Sequence, residues 1–174
     1  MMPLIDKPKM IYVHPEEGIK QPRYIIIGEA PGANEEREGR PFVGQAGKFL
    51  KGALHGAGAD LDECYFTNVV KVRPYKNQCP PKEVIDTWVQ ILQQEIFSYG
   101  YDNVKIFAFG GVAQYATNQI RDKFPDLQVF KHNYYGFYHP AYVSRFTKFK
   151  KQWLSDLKGA VDAKSAADHE QSER

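Results

Sequence analysis

The stretch "GEAPGANEEREGRPFVGQAGKF", Gly28 to Phe49, holds five glycines directly after a run of isoleucines. Glycines placed so can cradle a phosphate, and that chemistry has strict requirements. A nucleotide-binding loop needs G-x-x-x-x-G-K-[ST], whose lysine reaches the phosphates and whose hydroxyl holds magnesium. Gly39 and Gly44 have the spacing, but Gln45 and Ala46 follow, and the Gly47-Lys48 pair is succeeded by Phe49. The dinucleotide pattern G-x-G-x-x-G is also absent, and Glu29 would stand beside the pyrophosphate. A second chemistry-bearing stretch, "RFTKFKKQW" from Arg145 to Trp153, interleaves cations with aromatic rings. That pattern suits phosphate contacts, and equally the solvated end of an amphipathic helix.

These residues need elements to position them. "RYIIIGEAPG" reads as a short buried strand stopped by a turn, and "GQAGKFLKGALHGAGA" as a helix. "CYFTNVV" is a second strand, followed by a proline-containing loop. Pro81 opens a long amphipathic helix with Val84, Ile85, Trp88, Ile91, Leu92 and Ile96 on one face. "VKIFAFG" is a third strand and "VAQYATNQIRDKF" a helix. A fourth strand is expected in "LQVFKH" or in "YYGFYH", and one last helix over "PAYVSRFTKFKKQWLSDLKGAV".

Strands alternating with helices predict an α/β fold, a three-layer α/β/α sandwich around a central, mainly parallel four-stranded sheet. Ligands of such folds bind at the carboxyl ends of the strands. The loops after Ile27, Asn68, Phe109 and Tyr138 are therefore where function is expected. A chain of 174 residues suits one core, so we expect a single domain over residues 1–160 and a flexible tail over 161–174.

The composition narrows the function classes. A hydrophobic fraction of 43% and an aromatic fraction of 14% argue against disorder. No stretch approaches the roughly 20 apolar residues of a membrane span, and no secretory signal opens the chain, so a soluble cytoplasmic protein is expected. The net charge of +2 announces no nucleic-acid partner by itself. Two cysteines, Cys64 and Cys79, are too few for a disulfide framework or a four-cysteine metal site.

Four ordered blocks, "GEAPGANEEREGRPFVGQAGKFL", "YFTNVVKVRP", "AFGGVAQYA" and "YHPAYVSR", resemble the uracil-DNA glycosylase superfamily, and most closely its iron–sulfur branch, the fourth family. The resemblance covers roughly Tyr24 to Leu157. It implies a monomeric enzyme of base excision repair that acts on DNA in the cytoplasm or nucleoid, cleaves the N-glycosidic bond and needs no metal or redox cofactor for that chemistry. An enzyme of this kind flips the base into a pocket, stacks it on an aromatic ring and reads its edge by hydrogen bonds.

By this resemblance Phe42 stacks on uracil, Asn68 reads O4 and N3–H, and His139 donates to O2 as charge develops on the departing base. Glu29 orients the water or stabilises the sugar cation. Glu35 lies near C5 and helps to reject thymine's methyl group. Gly32 and Gly44 let backbone amides approach the base and the DNA, while Lys71, Arg73 and Arg145 contact phosphates.

The sequence also departs from the family. The fourth family's cluster uses four cysteines, yet the N-terminal pair is missing here, Val72 stands at the third position and Trp88 at the fourth. The cluster is therefore expected to be absent, with Val72 and Trp88 packed in its space. Ala141 replaces a serine that offers a phosphate hydrogen bond, and "HNYYGFYHP" is rich in tyrosine. These changes keep two alternatives open: a glycosylase for another altered base, and a non-catalytic DNA-binding or replication-associated member of the superfamily.

Overall fold

The computed structural model describes residues 10–16, 21–99 and 103–164. Its centre is a sheet of four parallel strands in the order β2-β1-β3-β4, formed by β1 (Tyr24–Gly28), β2 (Cys64–Asn68), β3 (Lys105–Phe109) and β4 (Tyr134–Phe137). The inner strands β1 and β3 and the edge strand β2 are buried at every residue, as expected for strands covered on both faces.

Alternation along the strands divides the core in two. Ile25, Ile27, Tyr65, Ile106 and Ala108 face one layer, built by α3 (Lys82–Ser98), α4 (Gly111–Lys123) and α5 (Gln128–His132). Tyr24, Ile26, Phe66, Phe107 and Phe109 face the other, built by α2 (Gln45–Gly56) and α7 (Lys150–Asp162). This is the expected three-layer sandwich, and among the described residues its sheet is wholly parallel.

Short helices complete the sheet's carboxyl edge. α1 (Ala33–Glu38) lies in the glycine-rich loop after β1, and α6 (Pro140–Arg145) follows β4 with Pro140 in its first turn. The N-terminal segment returns to this region through a bridge between Tyr12 and Val72 and through the Val13 N–H, which donates to the Lys71 carbonyl at 2.7 Å.

Several expectations need correction. "LQVFKH" contains helix α5 and not a strand, and the fourth strand is the later candidate. The single last helix is two helices: Phe146 leaves helical geometry at φ −110° and ψ 80°, and a short 3-10 turn joins α6 to α7. On α3 the buried stripe is Ile85, Val89, Leu92 and Ile96, with Val84 exposed. The packed chain continues past 160, since Val161 is buried within α7; the rest of the expected tail, 165–174, lies outside the described residues.

Candidate active site

Strand order reverses between β1 and β3, so the crevice at their carboxyl ends is the topological switch point of the sheet. Gly28 ends β1 in register with Asn68, which ends β2. Just beyond, the Val69 N–H donates to the Gly28 carbonyl and the Val70 N–H to the Glu29 carbonyl, both at 3.0 Å. The ladder thus continues one residue past the strands, with Asn68 opposite Gly28 and Glu29 the next residue along β1's path. Across the switch point the Gly110 N–H donates to the Phe137 carbonyl at 2.8 Å, which fixes the chain just before His139 beside the end of β3.

Two glycines bring the side chains inward. A Cβ on Gly28 would stand 2.5 Å from Asn68 Oδ1 and 2.7 Å from Phe42 Cζ, so the amide and the ring meet over its bare Cα. Gly110 has φ +93°, and a Cβ there would lie 3.2 Å from the His139 Cβ. Asn68 therefore leans over β1 while His139 sits against the end of β3, and neighbouring strands are only about 4.8 Å apart. Two groups from the outer strands thereby converge on the central crevice.

Phe42 holds a left-handed backbone, φ 55°, which is costly for a bulky side chain and persists where its surroundings fix it. Its buried ring packs 5.5 Å from that of Phe66. The Asn68 side-chain amide makes no hydrogen bond to another described residue, although only 7% of Asn68 is exposed. Glu29 is half-buried, and burial raises its carboxyl above the ordinary value of 4.5. Burial lowers the His139 imidazole from 6.5, which favours its neutral form. The Ala141 N–H donates to His139 Nδ1 at 3.1 Å, leaving the proton of the neutral ring on Nε2. The site thus combines a strained aromatic floor, an unpaired amide, a neutral N–H donor and a carboxylate of raised pKa.

The remaining expected residues lie around this crevice in different states. Glu35 Oε1 accepts the Gly44 N–H at 3.1 Å, closing the glycine-rich loop on itself. Gly44 precedes α2 and Gly32 precedes α1, both in extended geometry open to any residue. The Gly44 amide is occupied within the protein, by the Glu35 carboxylate. Arg73 reaches Glu36 at 3.5 Å and donates to Asn77 Oδ1 at 2.8 Å, tying the loop after β2 to α1. Arg145 is exposed at the end of α6 and has no ion-pair partner among the described residues.

Lys71 is the clearest correction. Only 1% exposed, it cannot reach a phosphate. Its Nζ donates to Glu95 Oε2 and Thr67 Oγ1 at 2.6 Å each and to the Asn68 carbonyl at 2.5 Å. Glu95 Oε1 also accepts from the hydroxyls of Thr67 at 2.8 Å and Tyr65 at 3.0 Å. The network therefore fastens the backbone of Asn68 to α3. Sequence reasoning missed Glu95, which looks like any other polar residue of a long amphipathic helix. It also missed Gln114, whose Nε2 donates to the Phe137 carbonyl at 2.9 Å and steadies the approach to His139.

The family's iron–sulfur cluster does not fit these residues. Such a cluster needs four thiolates, and the chain has two cysteines. Val72 and Trp88 are instead partly buried against the core, and the Tyr12 ring stands 6.0 Å from that of Trp88. Apolar and aromatic packing thus joins the N-terminal segment to the positions where the resemblance expects ligands.

Comparison with known proteins supports the same family. The family description "Uracil DNA glycosylase superfamily" matches residues 15–158. A type-4 uracil-DNA glycosylase of Archaeoglobus fulgidus is 30% identical over 166 residues, covering 88% of this chain and 82% of that protein. The type-4 enzyme of Pyrobaculum aerophilum is 44% identical over 82 residues, a match that spans 47% of this chain and 42% of that protein. A DNA polymerase of Bacillus phage SP01 is 28% identical over 148 residues, covering 81% of this chain but 16% of the polymerase. The matched span, the parallel sheet and the ordered blocks at its carboxyl edge lead to one conclusion: the chain belongs to the uracil DNA glycosylase superfamily.

Proposed function

We propose that this protein is a uracil-DNA glycosylase that hydrolyses the N-glycosidic bond of uracil in DNA and leaves an abasic site. The observation that carries the reading is the His139 ring, whose Nδ1 accepts the Ala141 N–H and leaves Nε2 to donate, at the switch point that the unpaired Asn68 amide also borders. A flipped uracil stacks on Phe42, and the Asn68 amide accepts from N3–H and donates to O4, a pattern that cytosine's amino group inverts. As the C1′–N1 bond breaks, its electron pair moves onto the base, and His139 Nε2–H hydrogen-bonds the developing charge at O2. Preorganised donors of this kind act on charge that exists only in the transition state. Water adds to C1′ and its proton passes to Glu29, which burial makes a stronger base than an exposed carboxylate.

Glu35 acts at C5 by holding the loop that bounds the pocket, and Arg73 and Arg145 meet phosphates, Arg73 after releasing Glu36. Gly32 lies where the backbone approaches the strand. The protein works as a monomer in the compartment that holds DNA; among the described residues no helix is long and apolar enough to cross a membrane.

The test is release of uracil from single- and double-stranded oligonucleotides, read as alkali-labile strand scission. Asn68→Ala is expected to lower the rate by about 10²–10³-fold, the usual effect of removing one donor to a developing anion. Scission by the unaltered protein no greater than by Asn68→Ala would overturn the assignment. The likeness to part of a phage DNA polymerase favours a second reading, a replication-associated DNA-binding module. DNA binding with no release of uracil, hypoxanthine or xanthine would select it.

A further inference from the structure

Beyond the crevice, the chain from Leu127 to Ser155 carries no acidic residue and includes Lys131, Arg145, Lys148, Lys150 and Lys151. Within it, large aromatic side chains are left in solvent: Tyr138 is 60% exposed, Phe146 44% and Tyr142 40%. They form a connected cluster with Phe149. The Tyr142 ring lies 4.7 Å from Phe146, 5.4 Å from Tyr138 and 5.7 Å from Phe149, and Tyr138 lies 5.8 Å from Phe149. Lys148 Nζ stands 4.8 Å over the Phe149 ring. Among the described residues none of Arg145, Lys148, Lys150 and Lys151 has an ion-pair partner, so no carboxylate neutralises their charges.

The core does not require this arrangement. Exposed rings in contact, surrounded by unpaired cations, complement a ligand that is both anionic and flat. A double helix presents phosphates but hides its base faces, whereas unpaired nucleotides present both. We propose that Tyr138, Tyr142 and Phe146, with Arg145 and Lys148 beside them, form a stacking platform for the unpaired nucleotides that flank the target base. Tyr138 immediately precedes His139, so the platform begins at the edge of the crevice. A groove of about 660 Å³ continues from it, lined by Tyr134, Tyr135, Tyr138, Phe149 and Trp153, with one carboxylate, Asp156, that accepts from the Gln152 amide at 2.7 Å. The inference rests on the reading of the crevice as a base-excision site and adds a preference for single-stranded substrate.

The experiment measures fluorescence anisotropy of a labelled, uracil-free oligothymidylate, alone and paired with its complement. The double variant Tyr138→Ala, Phe146→Ala is expected to weaken single-strand binding by about tenfold or more, in the range of base–aromatic stacking. Duplex binding stays within about twofold, and Tyr138→Phe keeps the single-strand affinity. Arg145→Gln with Lys148→Gln lowers both affinities and flattens their salt dependence. Single-strand affinity unchanged in the double variant, or an equal loss for both DNA forms, would overturn the platform; an unchanged melting temperature guards against misfolding. Uracil release is assayed separately, so an inactive protein with selective single-strand binding sinks the catalytic reading alone. An active protein without that selectivity sinks the platform alone.

Discussion

The two titratable groups at the crevice respond to pH in opposite directions. Burial raises the Glu29 carboxyl, so just above its ordinary value the native state holds more protons than the unfolded chain. The native state therefore gains stability as pH falls through that window, and at neutral pH it carries a poorly solvated charge. Burial lowers His139, whose contribution is fully present above 6.5 and is lost as pH falls through the folded value. Glu29→Gln removes the buried charge and keeps the shape. We expect its melting temperature at neutral pH to match or exceed that of the unaltered protein, while uracil release falls by about 10²–10⁴-fold. The acid limb of the kcat/KM profile should disappear with the carboxylate. Calorimetry and a pH–rate series check both; a lower melting temperature with full activity would assign Glu29 a structural role.

At the scale of elements, the position of Asn68 depends on a charge pair that links the loop after β2 to α3. Lys71 and Glu95 are joined at 2.6 Å with only 1% and 12% of their side chains exposed. Desolvation lowers the Lys71 pKa although Glu95 opposes the shift. Removing one partner of such a pair leaves an uncompensated buried charge, at a cost of about 3–5 kcal/mol. Lys71→Met should show that loss in denaturant unfolding, and Lys71→Met with Glu95→Leu should recover much of it. The double variant still lacks the hydrogen bond to the Asn68 carbonyl, so its kcat should remain low despite restored stability. Full recovery of both quantities would refute a positioning role. This pair also marks the limit of what could be read in the sequence. The buried isoleucines of β1 and the stripe on α3 report their environment through hydrophobicity, and the glycines that end strands mark turns through their backbone freedom. Lys71 carries a charge that ordinarily signals solvent, and only tertiary packing against Glu95 reverses that meaning. The same holds for "LQVFKH", whose β-branched and aromatic character suits a strand, yet Val129 and Phe130 are buried from one face of α5. The four ordered blocks single out Phe42, Asn68 and His139 as candidates, whereas the hydrogen bond that fixes the His139 tautomer depends on the fold of α6.

The whole molecule has to hold its N-terminal segment without the four thiolates of an iron–sulfur cluster. Cys64 is buried in β2, donates to the Asp60 carbonyl at 3.4 Å and has its thiol pushed up to about 12, mainly by desolvation. It is a packed thiol and a poor ligand. The segment from Met10 to Glu16 is instead fastened by the Val13 N–H on Lys71, by the Glu16 N–H on the Phe66 carbonyl at 3.2 Å, and by Tyr12 against Val72 and Trp88. Trp88 is partly buried, so Trp88→Ala should cost about 2–3 kcal/mol, below the 3–5 typical of a fully buried large aromatic. For a chain of this size that corresponds to a melting temperature lower by roughly 5–10 °C. Hydrogen exchange at Val13 should accelerate in the same variant, because the ring that covers the segment is gone. Protein prepared without iron and treated with a chelator should keep the melting temperature, the Val13 protection and the uracil-release rate of untreated protein. A visible iron–sulfur absorbance that chelation abolishes together with stability would mean that ligands are recruited from elsewhere. Slow Val13 exchange in Trp88→Ala would show that the backbone bridge suffices without the aromatic contact.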